Sequence, residues 1–380
     1  MARTIEVAVR TGSETKTFLL SAMATGGSAA DPKLKPLDEL LLNWAYGEDG
    51  PQQLPAATLL HDEFGVLTTC LRAEHRCFVS DNILHHERMH ESFRLNHGAA
   101  ANLPERQEPN GLKVANAINL MRLPKSLDLF EVYLQRVAAS ATPETQLAVG
   151  FMTRHFTPRL LEIASKYAAA VSQSRAYKKA RLLMLADFLP QPDSKSLLYE
   201  IQYREKTYQQ HYGVFSAGHI DYATQFLLDE WQTNLFLQKL TAPANLLDVG
   251  CGNGVIGDQL KIQHYPEARL AGTDVSSLAI ASARLNLGPE ANLQWRADLQ
   301  HWPSAYFDLI VTNPPFHDGH RNTIDTSLNL FAQAKEKLRP EGAFVVVANR
   351  HLNYATHLRK LFGEVLSVAE NKKFVIYRCR

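Results

Sequence analysis

Asn313, Pro314, Pro315, Phe316 and His317 stand directly behind the apolar run 308–311, so a buried strand is expected to end in a rigid polar and aromatic loop. Those residue types suit a clamp for a planar –NH2 group. Asn313 offers a side-chain oxygen and Pro314 a backbone carbonyl, and proline geometry holds both in an extended turn. Two acceptors facing one way grip both protons of an exocyclic amine and draw its nitrogen toward a pyramidal, nucleophilic state. Phe316 would stack on a flat substrate, an interaction worth about 1–3 kcal/mol per base at nucleic-acid platforms. Pro315 and His317 are counted as substrate contacts, with a plain loop-edge role as the alternative for His317.

A second constellation lies upstream, in LLDVGCGNGVIG, residues 246–257. Gly250, Gly252 and Gly254 fall between an expected strand and an expected helix, where glycine permits a tight turn and close backbone approach to a ligand. The spacing is neither G-x-G-x-x-G nor a P-loop, since no Gly-Lys-Ser/Thr follows. Asp248, Asp274 and Asp298 lie at three successive strand ends, around the crevice where open α/β sheets bind ligands. Asp274 suits a ribose diol, Asp298 an adenine amino group, and Asp248 a cationic amino-acid part, with Asn313 on the rim of the same crevice. S-adenosylmethionine fits that outline, whereas a phosphate-rich cofactor would be repelled. Helix capping by the aspartates is the structural alternative. Cys251 is read as a small loop residue, because no general base stands beside it. No metal is expected.

These residues need a frame that brings strand ends together. ANLLDVG, ARLAGTD, FDLIVTN and AFVVVAN are short apolar runs separated by helical-period segments such as SLAIASARLNL. That alternation predicts an α/β fold with a mostly parallel sheet flanked by helices. The first half repeats the pattern faintly. FRLN at 93 answers ARLN at 283, and INLMRLPKS at 118 answers DLIVTNPPF at 308, both 190 residues apart. AATLLHDEFGVL answers ANLLDVGCGNGVI, TRHF at 153 answers NRHL at 349, and AYKKARLLM answers ENKKFVIYR. Five matches in one order point to duplication of one α/β unit. The expected domains are 1–195 and 196–380, parted near LPQPDSKS, with a strand pair around TGSE at the N-terminus and a hairpin opening the second copy.

Bulk properties agree with two folded domains. The chain has 380 residues, 45% apolar and 21% charged, with a formal net charge of +1, which argues against whole-surface adhesion to polyanions or membranes. The four cysteines show no CxxC pair, and the N-terminus lacks a signal-peptide layout, so a cytoplasmic location is expected; a monomer is the expected working form. No run reaches the roughly 20 apolar residues of a membrane span.

DVGCGNGVIG, the TD of Asp274, NPPFH and the closing VANRHLNY, FG and ENKKFVIYR together resemble the bacterial ribosomal RNA guanine-N2 methyltransferases built from duplicated methyltransferase domains. The likeness spans essentially the whole chain and is greatest with the type acting on 23S rRNA, whose sister acts on 16S rRNA. It implies two tandem Rossmann-like, class I methyltransferase domains, the N-terminal one degenerate and the C-terminal one binding S-adenosylmethionine. It also implies ribosomal RNA as partner, and cofactor contacts from Phe215 and Ser216 in VFSAGHIDYATQFLL. An Arg that often follows that Ser in the family is Ala217 here. The first copy agrees with degeneracy: HDEFGVL keeps one glycine, Gly65, and at the 190 offset Leu123 stands for Asn313 while Lys125 and Ser126 replace Pro315 and Phe316.

Arg350, His351, Lys372 and Lys373, with Lys178, Lys179 and Arg181 in the first copy, are candidate phosphate contacts, a solvated charged face being the alternative. Rival functions are methylation of a glutamine amide in a protein, adenine-N6 methylation of DNA, for which no DNA-reading module is recognisable, and a ribosome-assembly factor that binds the cofactor without turnover.

Overall fold

In the computed structural model, which describes residues 3–11, 14–22, 35–47, 52–112, 116–191, 197–238, 240–314 and 321–380, the chain divides into two compact units. One ends at Leu197 and the other runs from Leu198 to Arg380. The first opens with a hairpin of β1 (Arg3–Thr11) and β2 (Glu14–Ala22), then a helix, Pro36–Tyr46. Its sheet holds β3 (Leu54–Leu60), β4 (Ala73–Val79), β5 (Glu105–Gln107), β6 (Ile118–Arg122), β7 (Gln146–Met152), β8 (Ala168–Gln173) and β9 (Ala180–Phe188), in the order 5-4-3-6-7-9-8.

The second unit repeats this plan. A hairpin of β10 (Leu198–Tyr203) and β11 (Lys206–His211) precedes a helix, Tyr222–Thr233. The sheet strands are β12 (Asn245–Val249), β13 (Arg269–Asp274), β14 (Asn292–Trp295), β15 (Phe307–Thr312), β16 (Leu338–Asn349), β17 (Val365–Glu370) and β18 (Phe374–Cys379), ordered 14-13-12-15-16-18-17. In both sheets only the last strand in sequence, β9 or β18, runs antiparallel to its neighbours. The hairpin expected to open the second copy thus has a counterpart in the N-terminal strand pair.

Side chains show why the matched words recur. In ARLN, Asn286 accepts from Gln209 N and donates to Gln209 O, both at 2.8 Å, and Ser282 Oγ accepts from His211 N at 2.9 Å. In FRLN, Asn96 makes the same pair with Leu19, and Ser92 Oγ accepts from Ser21 N at 3.0 Å. A helix end clasps the hairpin's second strand in each copy, because an asparagine side chain can mimic one rung of a β ladder.

Strand register corrects two of the sequence alignments by one residue. Leu60 pairs with Met121 as Val249 pairs with Thr312, and Met121 in turn pairs with Val149 as Thr312 pairs with Val346. The residue at Asn313's place in the first copy is therefore Arg122, not Leu123, and Pro124 answers Pro315. Likewise Thr153 N donates to Lys179 O as Arg350 N donates to Lys373 O, so Thr153, not Arg154, answers Arg350. Loop lengths between the strands differ, so no single offset holds along the chain.

Candidate functional site

β12 and β15 are adjacent and parallel at the point where strand order reverses, so the loops following them open the crevice expected of a doubly wound sheet. All five residues of β12 are buried, a fully covered strand that fixes where the glycine loop begins. Gly250 and Gly252 have φ of 70° and 54°, and a Cβ on either would meet nothing within 4 Å. The loop therefore takes backbone angles that glycine tolerates and leaves open space above it.

Asp274 ends β13 and works on two loops. Its Oδ2 accepts from Gly252 N at 3.0 Å and its Oδ1 from Ser276 N at 2.9 Å. Asp248 lies deeper: Oδ2 accepts from Gly257 N at 3.0 Å, while Oδ1 is buried with no hydrogen-bond partner. Burial pushes its carboxyl up to about 7, with Asp274 adding in the same direction and the Gly257 N–H acting against it. Asp298 sits three residues beyond β14 and accepts from Gln300 N at 3.0 Å. Cys251 is buried and its thiol is raised well above the ordinary range by that burial, in keeping with a packing role.

Asn313 follows β15 and is half-buried. Its Nδ2 donates to Asp221 Oδ2 at 3.0 Å and to Thr224 Oγ1 at 2.9 Å. Its Oδ1 is shielded from solvent and has no hydrogen-bond partner. Asp221 is also the N-cap of the helix Tyr222–Thr233, accepting from Ala223 N at 2.9 Å and Thr224 N at 3.3 Å. That helix is anchored by Leu227, Leu228 and Trp231, which pack with Leu246, Val345 and Ile376 from the sheet. Burying each such side chain contributes roughly 1.5–3 kcal/mol. Pro314 is buried next to Asn313, whereas Pro315, Phe316 and His317 lie outside the described residues.

The FSAGH loop joins this centre through Gln210. Its Nε2 donates to the carbonyls of Phe215 and Ser216 at 3.2 Å, and its Oε1 accepts from Asn253 of the glycine loop at 2.9 Å. Ser216 adopts φ 62°, its Oγ donates to His219 O at 2.9 Å, and the Phe215 ring is 51% exposed beside it. Sequence reasoning missed Gln210, Asp221, Thr224 and Asn253. The alternation of the hairpin and the Asp before a helical run were legible signals, but their partners lie far off in sequence.

The basic candidates fall at the same end of the sheet. Arg350 follows β16, next to β15, and Lys372 and Lys373 form the turn into β18, next to β16. At about 4.8 Å per strand these lie one and two strand spacings across from Asn313. Arg350 donates to Asn371 O at 3.1 Å, Lys373 lies over the Phe374 ring, and His351 and Lys372 are exposed. In the first unit, Lys178 and Lys179 form the equivalent turn into β9, where Lys178 Nζ is 3.5 Å from Glu39, and Arg181 points back toward Gln173.

The first unit's counterpart of the crevice is filled. Arg122, where the second unit has Asn313, donates from Nε to Asp38 Oδ1 at 2.8 Å and lies 3.7 Å from Asp62. All three side chains are buried. His61 and Glu63 stand where Gly250 and Gly252 stand, and Ser80 where Asp274 does, by strand register. An ion pair and two side chains thus occupy the space that the second unit leaves open.

Among the described residues, no group of three or more His, Cys, Asp or Glu could hold a metal ion, and no helix is long and apolar enough to cross a membrane. The open cradle over Gly250 and Gly252, the Asp274 carboxylate and the unpartnered Asp248 and Asn313 oxygens fit a nucleoside cofactor carrying a cationic amino acid.

Residues 35–189 match the model of the RLMG N-terminal domain, and residues 205–378 match that of the methyltransferase small domain. The ribosomal RNA large subunit methyltransferase G of Psychromonas ingrahamii is 31% identical over 358 residues, 90% of this chain and 91% of that protein. The T. thermophilus 16S rRNA N2 G1207 methyltransferase (RsmC), solved with AdoMet and guanosine, superposes with a TM-score of 0.74 at 21% identity, covering 100% of this chain and 98% of that one. Repeated sheets, an open second crevice and likeness along nine-tenths of the length converge: the chain belongs to the ribosomal RNA large subunit methyltransferase G family.

Proposed function

We infer that this protein transfers a methyl group from S-adenosylmethionine to the exocyclic N2 amine of a guanine in 23S ribosomal RNA, using the crevice of its second unit. The observation that carries the reading is the Asn313 amide at the end of β15, tied down through its nitrogen to Asp221 and Thr224 and left with an unpartnered oxygen.

Gly250, Gly252, Asp274, Asp248 and the Phe215–Ser216 loop would hold the cofactor, which supplies a methyl activated on a sulfonium. Asn313 Oδ1 and the Pro314 carbonyl would accept hydrogen bonds from the two amine N–H groups and aim the nitrogen, with Phe316 stacking on the base, and the amine proton displaced by the incoming methyl would leave to water. Alignment and charge stabilisation then lower the barrier without a strong base. The first unit, with its crevice filled, serves the RNA grip rather than the chemistry. Arg350, His351, Lys372 and Lys373 would touch phosphates near the reacting base, and Lys178 and Lys179 others. The working form in this reading is a cytoplasmic monomer, which sedimentation at working concentration checks.

Mass mapping of rRNA from cells lacking the protein tests substrate and reaction together. Loss of one N2-methylguanine in 23S rRNA is expected; loss from 16S rRNA, or unchanged rRNA, would overturn the assignment. With purified protein, Asn313→Ala should lower transfer by about 100-fold or more while cofactor affinity changes little. Unchanged transfer would remove the clamp from the mechanism.

A further inference from the structure

Asparagine is an ambiguous clamp residue. Its amide can turn over by 180° about the last side-chain torsion, presenting either an acceptor or two donors. Only the acceptor face serves an –NH2 substrate, because the other opposes donor to donor. Something must hold the amide one way before substrate arrives, and the structure supplies it.

We propose that Asp221, with Thr224, is the positioning residue that locks Asn313 with its oxygen toward the substrate. The proposal rests on the clamp reading above and goes beyond it to a residue outside the clamp itself. Asp221 Oδ2 is 3.0 Å from Asn313 Nδ2, and an ionised carboxylate can only accept, so it selects the nitrogen. Thr224 Oγ1 takes the second N–H at 2.9 Å, which uses up the amide's donors and leaves Oδ1 for an incoming group. The helix makes this lock rigid: Asp221 and Thr224 are its N-cap and third residue, and its other end is fixed by buried Trp231.

The first unit supports the reading independently. Arg122 takes the place of Asn313 and Asp38 the place of Thr224, each the third residue of the helix that precedes the sheet. Arg122 Nε donates to Asp38 Oδ1 at 2.8 Å. The contact between the strand-end residue and the helix start persists in both copies, while its chemistry changes from a lock that leaves an acceptor open to a closed ion pair.

Two substitutions of Asp221 separate the lock from the cap. Asp221→Ser keeps an N-cap oxygen but is too short to reach Asn313, and Asp221→Asn keeps both the cap and an acceptor for Nδ2. In the full-length protein with rRNA substrate, Asp221→Ser should lower kcat by about 100-fold, the loss typical of one misplaced stabilising group. Its KM for RNA, its cofactor Kd by calorimetry and its thermal midpoint should stay near wild type. Asp221→Asn should retain kcat within about tenfold. Wild-type kcat in a folded, cofactor-binding Asp221→Ser protein would overturn the proposal, as would equal losses in the two variants. If Asp221→Ser fails to fold, Thr224→Val takes over: a kcat loss of about tenfold, restored by Thr224→Ser, is expected, and no loss would overturn it. Failure of the clamp reading is distinguishable, because Asn313→Ala would then keep wild-type transfer whatever the Asp221 variants do, and failure of the substrate assignment would show as wild-type protein that methylates no 23S rRNA.

Discussion

Asp248 shows how a single buried side chain beside the proposed cofactor site can destabilise the fold. Its folded value of about 7 stands above the ordinary 3.8, so the folded protein binds the extra proton between those limits. Stability from this group therefore falls as pH rises through that window, and the full cost is present above about pH 7. A shift of that size corresponds to roughly 4 kcal/mol. Asp248→Asn retains an acceptor for Gly257 N and removes the buried charge. Its stability relative to wild type, measured by urea unfolding, should improve by a few kcal/mol between pH 5 and pH 8. A difference that stays flat with pH would show that Asp248 is not the buried acid it is taken to be.

At the scale of elements, the clasp between helix and hairpin is duplicated in form and divided in consequence. Asn286 bonds Gln209 on β11 and also donates to Asn253 O in the glycine loop at 2.8 Å. Asn96 bonds Leu19 on β2 and its own helix at Ser92 O. Removing either leaves strand groups of the hairpin unpaired and should cost about 1–3 kcal/mol. Asn286→Ala should also weaken cofactor binding several-fold, since Asn253 links to Gln210 and thence to the Phe215 loop. Asn96→Ala should lose the same stability and leave cofactor affinity unchanged. Calorimetric titration of both variants checks the contrast, and equal affinities would break the link drawn from clasp to glycine loop.

For the whole molecule, one fold carries two copies of a plan, and in the proposed reading only the second does chemistry. The first copy's closed ion pair explains why: separating Arg122 from Asp38 would strand a buried charge, at a cost of about 3–5 kcal/mol. If that copy grips RNA, Lys178→Glu with Lys179→Glu should weaken rRNA binding and flatten its salt dependence by about one to two counterions. Cofactor affinity, set in the other unit, should not move. Filter binding across a salt series reads both, and an unchanged slope would remove the Lys178–Lys179 turn from the interface.

The duplication, the alternation of strands and helices, the glycine loop and the Asn-Pro-Pro stretch were legible in the sequence, because each depends on local period, turn chemistry or short-range spacing. The α/β architecture followed from them. Tertiary structure alone decided the partners. It assigned Arg122, not Leu123, to the place of Asn313, because strand register is set by pairing across the sheet and loop lengths differ between copies. It likewise joined Asn313 to Asp221, 92 residues away in sequence, and turned a clamp inferred from residue types into an amide with one defined face.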